Sequence, residues 1–184
     1  MAQARFVTDQ PDGDELDYAS PTQFKFEIKQ LPKVSFFNVA CNLPGVSMTP
    51  TIQDTAVLGR DIPIHGSKVD FEEFTIRFIV DEHLKNWIEI YDRVIALGLA
   101  EGSEKYRLLK AKSDLTQRGG TVSTLVLTVL TSAMNPQMEF HFNEAFPTSV
   151  SALDFDSSVG DLEYFTATAA FRYTNYEIKN LLNN

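Results

Sequence analysis

Along much of this chain apolar and polar residues alternate one by one, the period of a strand with one buried face. In residues 22–30, Phe24, Phe26 and Ile28 interleave with Gln23, Lys25, Glu27 and Lys29, which predicts a half-buried strand; residues 33–41 read as its hairpin partner. Residues 42–46, Asn-Leu-Pro-Gly-Val, supply a turn. Residues 47–66, broken by proline and glycine and without clear periodicity, predict a long projecting loop. Residues 68–80 return to strand character, but the apolar positions change parity, from Val69 and Phe71 to Phe74, Ile76, Phe78 and Val80. A bulge at Glu72 and Glu73 is the expected cause. The period then lengthens. After Asp81, a capping residue, with Glu82 in the first turn, Leu84, Trp87, Ile88, Tyr91, Val94 and Ile95 recur at helical spacing until Gly98 stops the helix. Further strands are expected at 121–131, 137–143, 148–155 and 162–178. In the last, Phe165, Ala167, Ala169, Phe171 and Tyr173 alternate with Thr166, Thr168, Ala170, Arg172 and Thr174. Trp87, Phe155 and Phe171 are the expected core anchors. With no strand–helix–strand rhythm and no internal repeat, the pattern predicts a mainly β fold. Its architecture is two packed antiparallel sheets, sandwich- or barrel-like, with one flanking α-helix.

The 184 residues, 43% of them hydrophobic, suffice for one domain with a real core. Residues 1–20 carry Asp9, Asp12, Asp14, Glu15 and Asp17 against Arg5 and are read as an acidic flexible arm, leaving 21–184 as a single β domain. A net charge of −9 argues against a protein that grips nucleic-acid phosphates, which needs clustered Lys and Arg. One stretch runs against this balance. Within 99–120, where a short helix is expected near 103–112, Lys105, Arg107, Lys110 and Lys112 are candidate partner contacts, with the acidic arm of a neighbouring copy as one complement. No apolar run reaches the eighteen or so residues of a membrane helix, and the opening has no apolar core like that of a signal peptide. Synthesis and residence in the cytoplasm of the producing cell, without membrane contact, are expected.

Catalytic chemistry finds little support. His65, His83 and His141 have no mutual metal-ligand spacing, so no metal is expected. Asp154 with Asp156, and Asp70 with Glu72, are carboxylate pairs two apart, a pattern common on solvated strands. Cys41, the one cysteine, excludes an internal disulfide and reads as a packing residue. Phosphate-binding loops, dinucleotide fingerprints and nucleophile elbows are missing, so neither a cofactor nor a catalytic residue is assigned.

Four segments together resemble the tail tube protein family of contractile-tailed bacteriophages, relatives of the type VI secretion tube protein. They are SPTQFKFEIKQL after the acidic arm, CNLPGVSMTPTIQDTAVLGRDIPIHG as turn and loop, DFEEFTIRFIVDEHLKNW as strand into helix, and FPTSVSALDFDSSVGDLEYFTATAAFRYTNYEI as the closing hairpin. They cover most of residues 20–178. The last is the most specific, and segment 99–120 is the one with no counterpart. The resemblance implies a structural virion protein, not an enzyme, six copies of which close a ring whose inner sheets merge into one continuous β-barrel. Stacked rings would form the conduit for the genome inside a contractile sheath. Thr49, Asp54, Leu58, Arg60, Asp61, His65 and Gly66 are then candidates for reaching the next ring. The implied partners are the sheath protein, the tape measure protein, a baseplate initiator and double-stranded DNA sliding through an acidic lumen. The implied location is the phage tail, after assembly in the host cytoplasm. Two alternatives remain open: an initiator or terminator of the tube with the same fold, and a monomeric β-barrel for a small ligand.

Overall fold

The computed structural model describes residues 21–28, 31, 34, 37–53, 61–99, 103–111, 119–155 and 164–181. The segment 1–20, together with Asp54, Leu58, Arg60 and Lys112, lies outside the described residues. The described chain forms β1 (Phe24–Ile28), β2 (Asn38–Cys41), β3 (Val46–Met48), β4 (Thr51–Gln53), β5 (Ile62–Ile64), β6 (Val69–Phe71), β7 (Phe74–Ile79), α1 (Lys85–Leu97), α2 (Ser103–Ala111), β8 (Ser123–Leu130), β9 (Pro136–Val150), β10 (Thr166–Arg172) and β11 (Asn175–Asn180). It is mainly β and every pairing is antiparallel; α1 is the expected flanking helix, and α2 lies where the short helix near 103–112 was expected.

The main sheet runs β1-β8-β9-β10-β7-β2, with β11 also on β9. β9 organises it. Its first part lies between β8 and β11, and its last part pairs β10. The expected strands at 137–143 and 148–155 are thus one strand that ends at Val150. The expected strand 162–178 divides into β10 and β11, which together track β9 along its length. Both sides of this hairpin turn the same corner. Glu144 takes a left-handed φ of 54°, and its carboxylate accepts from the Thr174 hydroxyl at 2.7 Å in the gap between β10 and β11. Single residues in that conformation re-aim a strand.

The corner folds one half of the sheet over the other. Phe26 of β1 meets Phe74 of β7 at 5.2 Å between ring centroids, and Phe74 meets Phe142 of β9 at 4.7 Å. Around them Ile28, Ile76, Phe78, Leu125, Ala169 and Phe171 are buried in one cluster. The inward positions are the alternating apolar set read from sequence, each Phe contributing about 1.5–3 kcal/mol by burial. Two pairings differ from expectation. β1 pairs β8, about a hundred residues away, with Phe26 opposite Leu127, while β2 pairs β7. Among the described residues no sheet closes on itself; β1 and β2 end the path.

Helix α1 also seats differently from its apolar stripe. Its buried residues are Asn86, Ile90, Arg93 and Ala96, whereas Ile88 and Tyr91 are exposed. Polar bonds set this rotation. Asn86 Nδ2 donates to Ile79 O at 2.8 Å, closing the end of β7, and Arg93 donates to Gly120 O at 2.8 Å. Both side chains are buried with partners, so the helix presents them inward without an unmet hydrogen bond. Asp81 is not the residue next to the helix; Leu84 is, at φ 56°, and the Asp81 carboxylate accepts from the Asn86 N–H at 3.2 Å across the intervening turn. Trp87 is only partly buried. It stacks on Tyr91 at 5.2 Å and donates to Ser151 O at 3.0 Å.

Candidate assembly surfaces

Within the stretch expected as a loop, 47–66, the described residues 47–53 and 61–66 belong to an arm of two short ladders. β3 pairs β6 with Val46 opposite Phe71 and Met48 opposite Val69; β4 pairs β5 with Thr51 opposite Ile64. The arm continues the β2–β7 ladder. Cys41 faces Ile76, and five residues further along each strand Val46 faces Phe71, so the register carries straight on. The expected single strand 68–80 is correspondingly β6 in the arm and β7 in the sheet, broken where the parity changes. Pro44, which has no N–H to offer a ladder, sits opposite that break.

Farther out the return strand gains two residues, since Met48 faces Val69 but Thr51 faces Ile64. Gly66 lies in this bulge. A Cβ there would stand 2.0 Å from Thr49 O, so only glycine lets the strands approach this closely. Of the seven inter-ring candidates, the structure brings Thr49 and Gly66 together in mid-arm and leaves Asp61 and His65 exposed at either end of β5. It adds what sequence reasoning passed over: Val46, Met48, Ile52, Ile62, Ile64 and Val69 are all exposed, Ile52 by 65%. The available signal was the recurrence of aliphatic residues at 46, 48 and 52 and again at 62, 64 and 69. An apolar set of this size on one projecting element marks an interaction surface.

The root of the arm is fixed to both halves of the fold. Phe71 lies 5.8 Å from Tyr173 and 5.7 Å from Tyr176, both of which also meet Phe142. Arg172 Nε donates to Glu73 Oε1 at 2.9 Å, and the Gly45 N–H donates to Glu72 Oε2 at 3.2 Å. Burial pushes the Tyr173 phenol up to about 12, Tyr176 and Glu72 adding to the rise and Arg172 opposing it.

A second surface lies on the helices. α2 buries none of its residues, and Leu108 is exposed. Lys105 Nζ reaches Asp92 of α1 at 3.4 Å, while Arg107 and Lys110 face solvent. Between the helices is a cavity of about 500 Å³ lined by Leu31, Arg93, Ala96, Leu108, Leu109 and Gly120. Burial lowers the Arg93 pKa, and Glu89 one turn away raises it.

A third surface is aromatic. Phe155, expected in the core, is 72% exposed and touches Phe165 at 4.9 Å; Tyr164 beside it is exposed too. The chain has left the sheet by Phe155, because β9 ends at Val150. Phe171, by contrast, is buried opposite Phe74. The edge strand β11 adds an exposed Ile178.

Reactive groups are sparse. Among the described residues no three His, Cys, Asp or Glu side chains gather as metal ligands. His141 Nε2 meets Glu139 Oε2 at 2.8 Å on one face of β9. Burial pushes the Cys41 thiol up to about 11 against a hydrogen bond from Asn38, which suppresses the thiolate. No helix among the described residues is long and apolar enough to cross a membrane.

No protein-family model matches the chain. In sequence it is 24% identical over 166 residues to the tail tube terminator protein of Enterobacteria phage T4, covering 88% of this chain and 89% of that one. The resemblance to the tail tube family stands. In fold the chain superposes on the tube-terminating cap of the anti-feeding prophage with a TM-score of 0.63 at 12% identity, covering 96% of this chain and 99% of that one. It also superposes on a chain of the sheath–tube complex of the PVC extracellular contractile injection system, with a TM-score of 0.54 at 13% identity and 89% and 93% coverage. The chain is thus similar in sequence to a tail tube terminator and in fold to tube and cap proteins, and the aliphatic arm, the Phe155–Phe165 pair and the basic helix α2 are its exposed surfaces.

Proposed function

We propose that this chain is a structural, non-enzymatic protein of a contractile tail that terminates the tail tube. The carrying observation is the sequence match to a tube terminator, which runs through nearly the whole of both chains. The shape agrees with the role. A sheet whose path among the described residues ends at β1 and β2 gains by extending across identical copies, and an arm rich in exposed aliphatic residues needs a second surface. In this reading six copies form a ring, its sheets joining into a barrel around the lumen, and the arm, with Thr49, Asp61, His65 and Gly66, seats on the adjoining ring. Arg107 and Lys110 face a neighbouring acidic surface. The sheath surrounds the tube, the tape measure protein and then double-stranded DNA pass through the lumen, and a baseplate initiator sits at the far end. The protein works in the virion after assembly in the host cytoplasm.

A repeating tube subunit is the second reading, favoured by the likeness to a sheath–tube complex chain. Electron microscopy of the purified protein, alone and mixed with isolated tubes, separates the two. A terminator forms rings that do not elongate and that decorate one tube end; a subunit elongates into filaments as concentration rises. A chain that stays monomeric and ignores tube ends overturns both and leaves the ligand-binding barrel.

A further inference from the structure

One half of the fold is a sheet in the order β1-β8-β9-β11, antiparallel at every step. β1 and β11 are its lateral edges, and among the described residues neither has a second partner strand. What each edge presents follows from the ladder. The Leu130 N–H donates to Gln23 O, in step with Phe24 opposite Val129, so Lys25 and Glu27 bond to β8 while Phe24 and Phe26 turn their N–H and C=O outward. On the other edge the Leu181 N–H donates to Gln137 O, in step with Tyr176 opposite Phe142, so Tyr176 and Ile178 turn theirs outward. The edges also match in chemistry. Tyr176 and Ile178 lie on the core face, opposite Phe142 and Phe140, as do Phe24 and Phe26, and Ile178 is 58% exposed. Lys25 and Glu27, and Glu177 and Lys179, lie on the solvent face. With an even number of strands in this half, β11 runs antiparallel to the β1 of a copy laid beside it, at every junction of a closed ring. β2, the other end of the sheet path, does not compete. Phe26 stacks over Phe74 of β7, the strand that β2 pairs, so β1 and β2 share one side of the molecule, whereas a closed ring joins two different sides.

We propose that β11 of one copy adds to β1 of the next, with Ile178 opposite Phe24, Tyr176 opposite Phe26 and Glu177 opposite Lys25. The inference names the contact that closes the ring and rests on the ring-forming reading above. Because a one-residue slip would turn the apolar face to water, only registers an even number of residues apart compete. A shift of two one way sets Glu177 against Glu27 and Lys179 against Lys25, both like-charged. A shift of two the other way leaves only Asn175 and Tyr176 opposite β1, and a shift of four sets Asn180 against Phe26 on the apolar face. In the single chain Lys25 pairs with Glu27, both exposed, and assembly exchanges that neighbour for Glu177 of the adjoining copy at little cost.

The experiment uses the full chain carrying Lys25→Cys with Glu177→Cys, both at exposed positions. Three strand spacings, about 14 Å, separate them within one chain, too far for a disulfide, whereas the proposed pairing brings them together between copies. Oxidation is expected to give a ladder of disulfide-linked oligomers on a non-reducing gel. Lys25→Cys with Lys179→Cys, the pair of the shifted register, is expected to give none. Charge reversal supplies a second measurement: Lys25→Glu and Glu177→Lys each weaken self-association about fivefold in sedimentation velocity, and the two together restore it. Linkage through position 179 as readily as through 177, or charge reversals that leave association unchanged, overturns the pairing while the ring reading survives. A wild-type chain that shows no self-association at any concentration overturns the ring reading and this inference with it.

Discussion

At the scale of single residues, the two glycines of the arm separate by what a side chain would meet. At Gly45 an added Cβ comes within 3.0 Å of the Glu72 carboxylate, the far end of a flexible side chain that can move aside. At Gly66 it meets the Thr49 carbonyl, which is backbone and cannot. Gly66→Ala therefore strains the arm by about 1–3 kcal/mol, the usual cost of overpacking, and reduces self-association, whereas Gly45→Ala changes both by little. Sedimentation and thermal melting of the two variants, side by side, check this. The core offers a matching contrast. Phe171→Ala removes a ring packed among Phe74 and Ala169 neighbours and costs about 3–5 kcal/mol in denaturant unfolding. Phe155→Ser, at an exposed ring, stays within about 0.5 kcal/mol of the parent. Both residues sit in aromatic alternations in the sequence; only the end of β9 at Val150 tells them apart. Cys41 gives a pH test. Its pKa is raised from 9.0 to about 11, so the folded state holds the thiol proton more tightly than the unfolded chain. The stabilisation is complete below pH about 9 and is lost as pH climbs through about 11. Alkylation of Cys41 in the native protein is accordingly slow at pH about 8 and rises steeply only in that window.

Elements were legible where local pattern and tertiary use agreed. The alternation in β1, β7 and β10 marks their buried faces because each has one face on the core. Partners were not legible: nothing local in residues 24–28 names β8, a strand that begins at Ser123, and proximity favoured residues 33–41 instead. Helix α1 shows a different limit. Its apolar stripe is real, but Asn86 and Arg93 find specific carbonyls at the end of β7 and before β8, and those bonds turn the stripe partly outward. The arm escaped notice because ladders of three residues are too short for a period to emerge, and prolines at 50 and 63 read as loop. Its apolar residues can be tested as an element. Ile52→Asp with Ile64→Asp alters two exposed positions, so the isolated chain melts within a few degrees of the parent. Ring formation and tube-end binding, seen by negative-stain microscopy, are lost if these side chains lie buried at the contact centre. Retention of both would remove the arm from the interface.

For the whole molecule, charge and apolar surface make opposite demands on assembly, and salt tells which one governs. Each chain carries −9, so copies brought together repel one another, and that repulsion is screened as ionic strength rises. The aliphatic arm depends little on salt at moderate concentration. If arm contacts dominate, association strengthens between about 0.05 and about 0.5 M salt, as the Debye length falls from roughly 14 Å to about 4 Å. The basic side of α2 works in the other direction. Arg107 and Lys110 are exposed, and contacts between them and the acidic residues of a neighbour would weaken over the same range. The structure favours the first outcome, because Lys105 is already engaged by Asp92 within its own chain and the apolar set is larger than the remaining basic pair. Sedimentation across a salt series, repeated with Arg107→Gln and Lys110→Gln together, is expected to show strengthening in both proteins. Weakening in the parent that disappears in the double variant would move the main contact from the arm to the second helix.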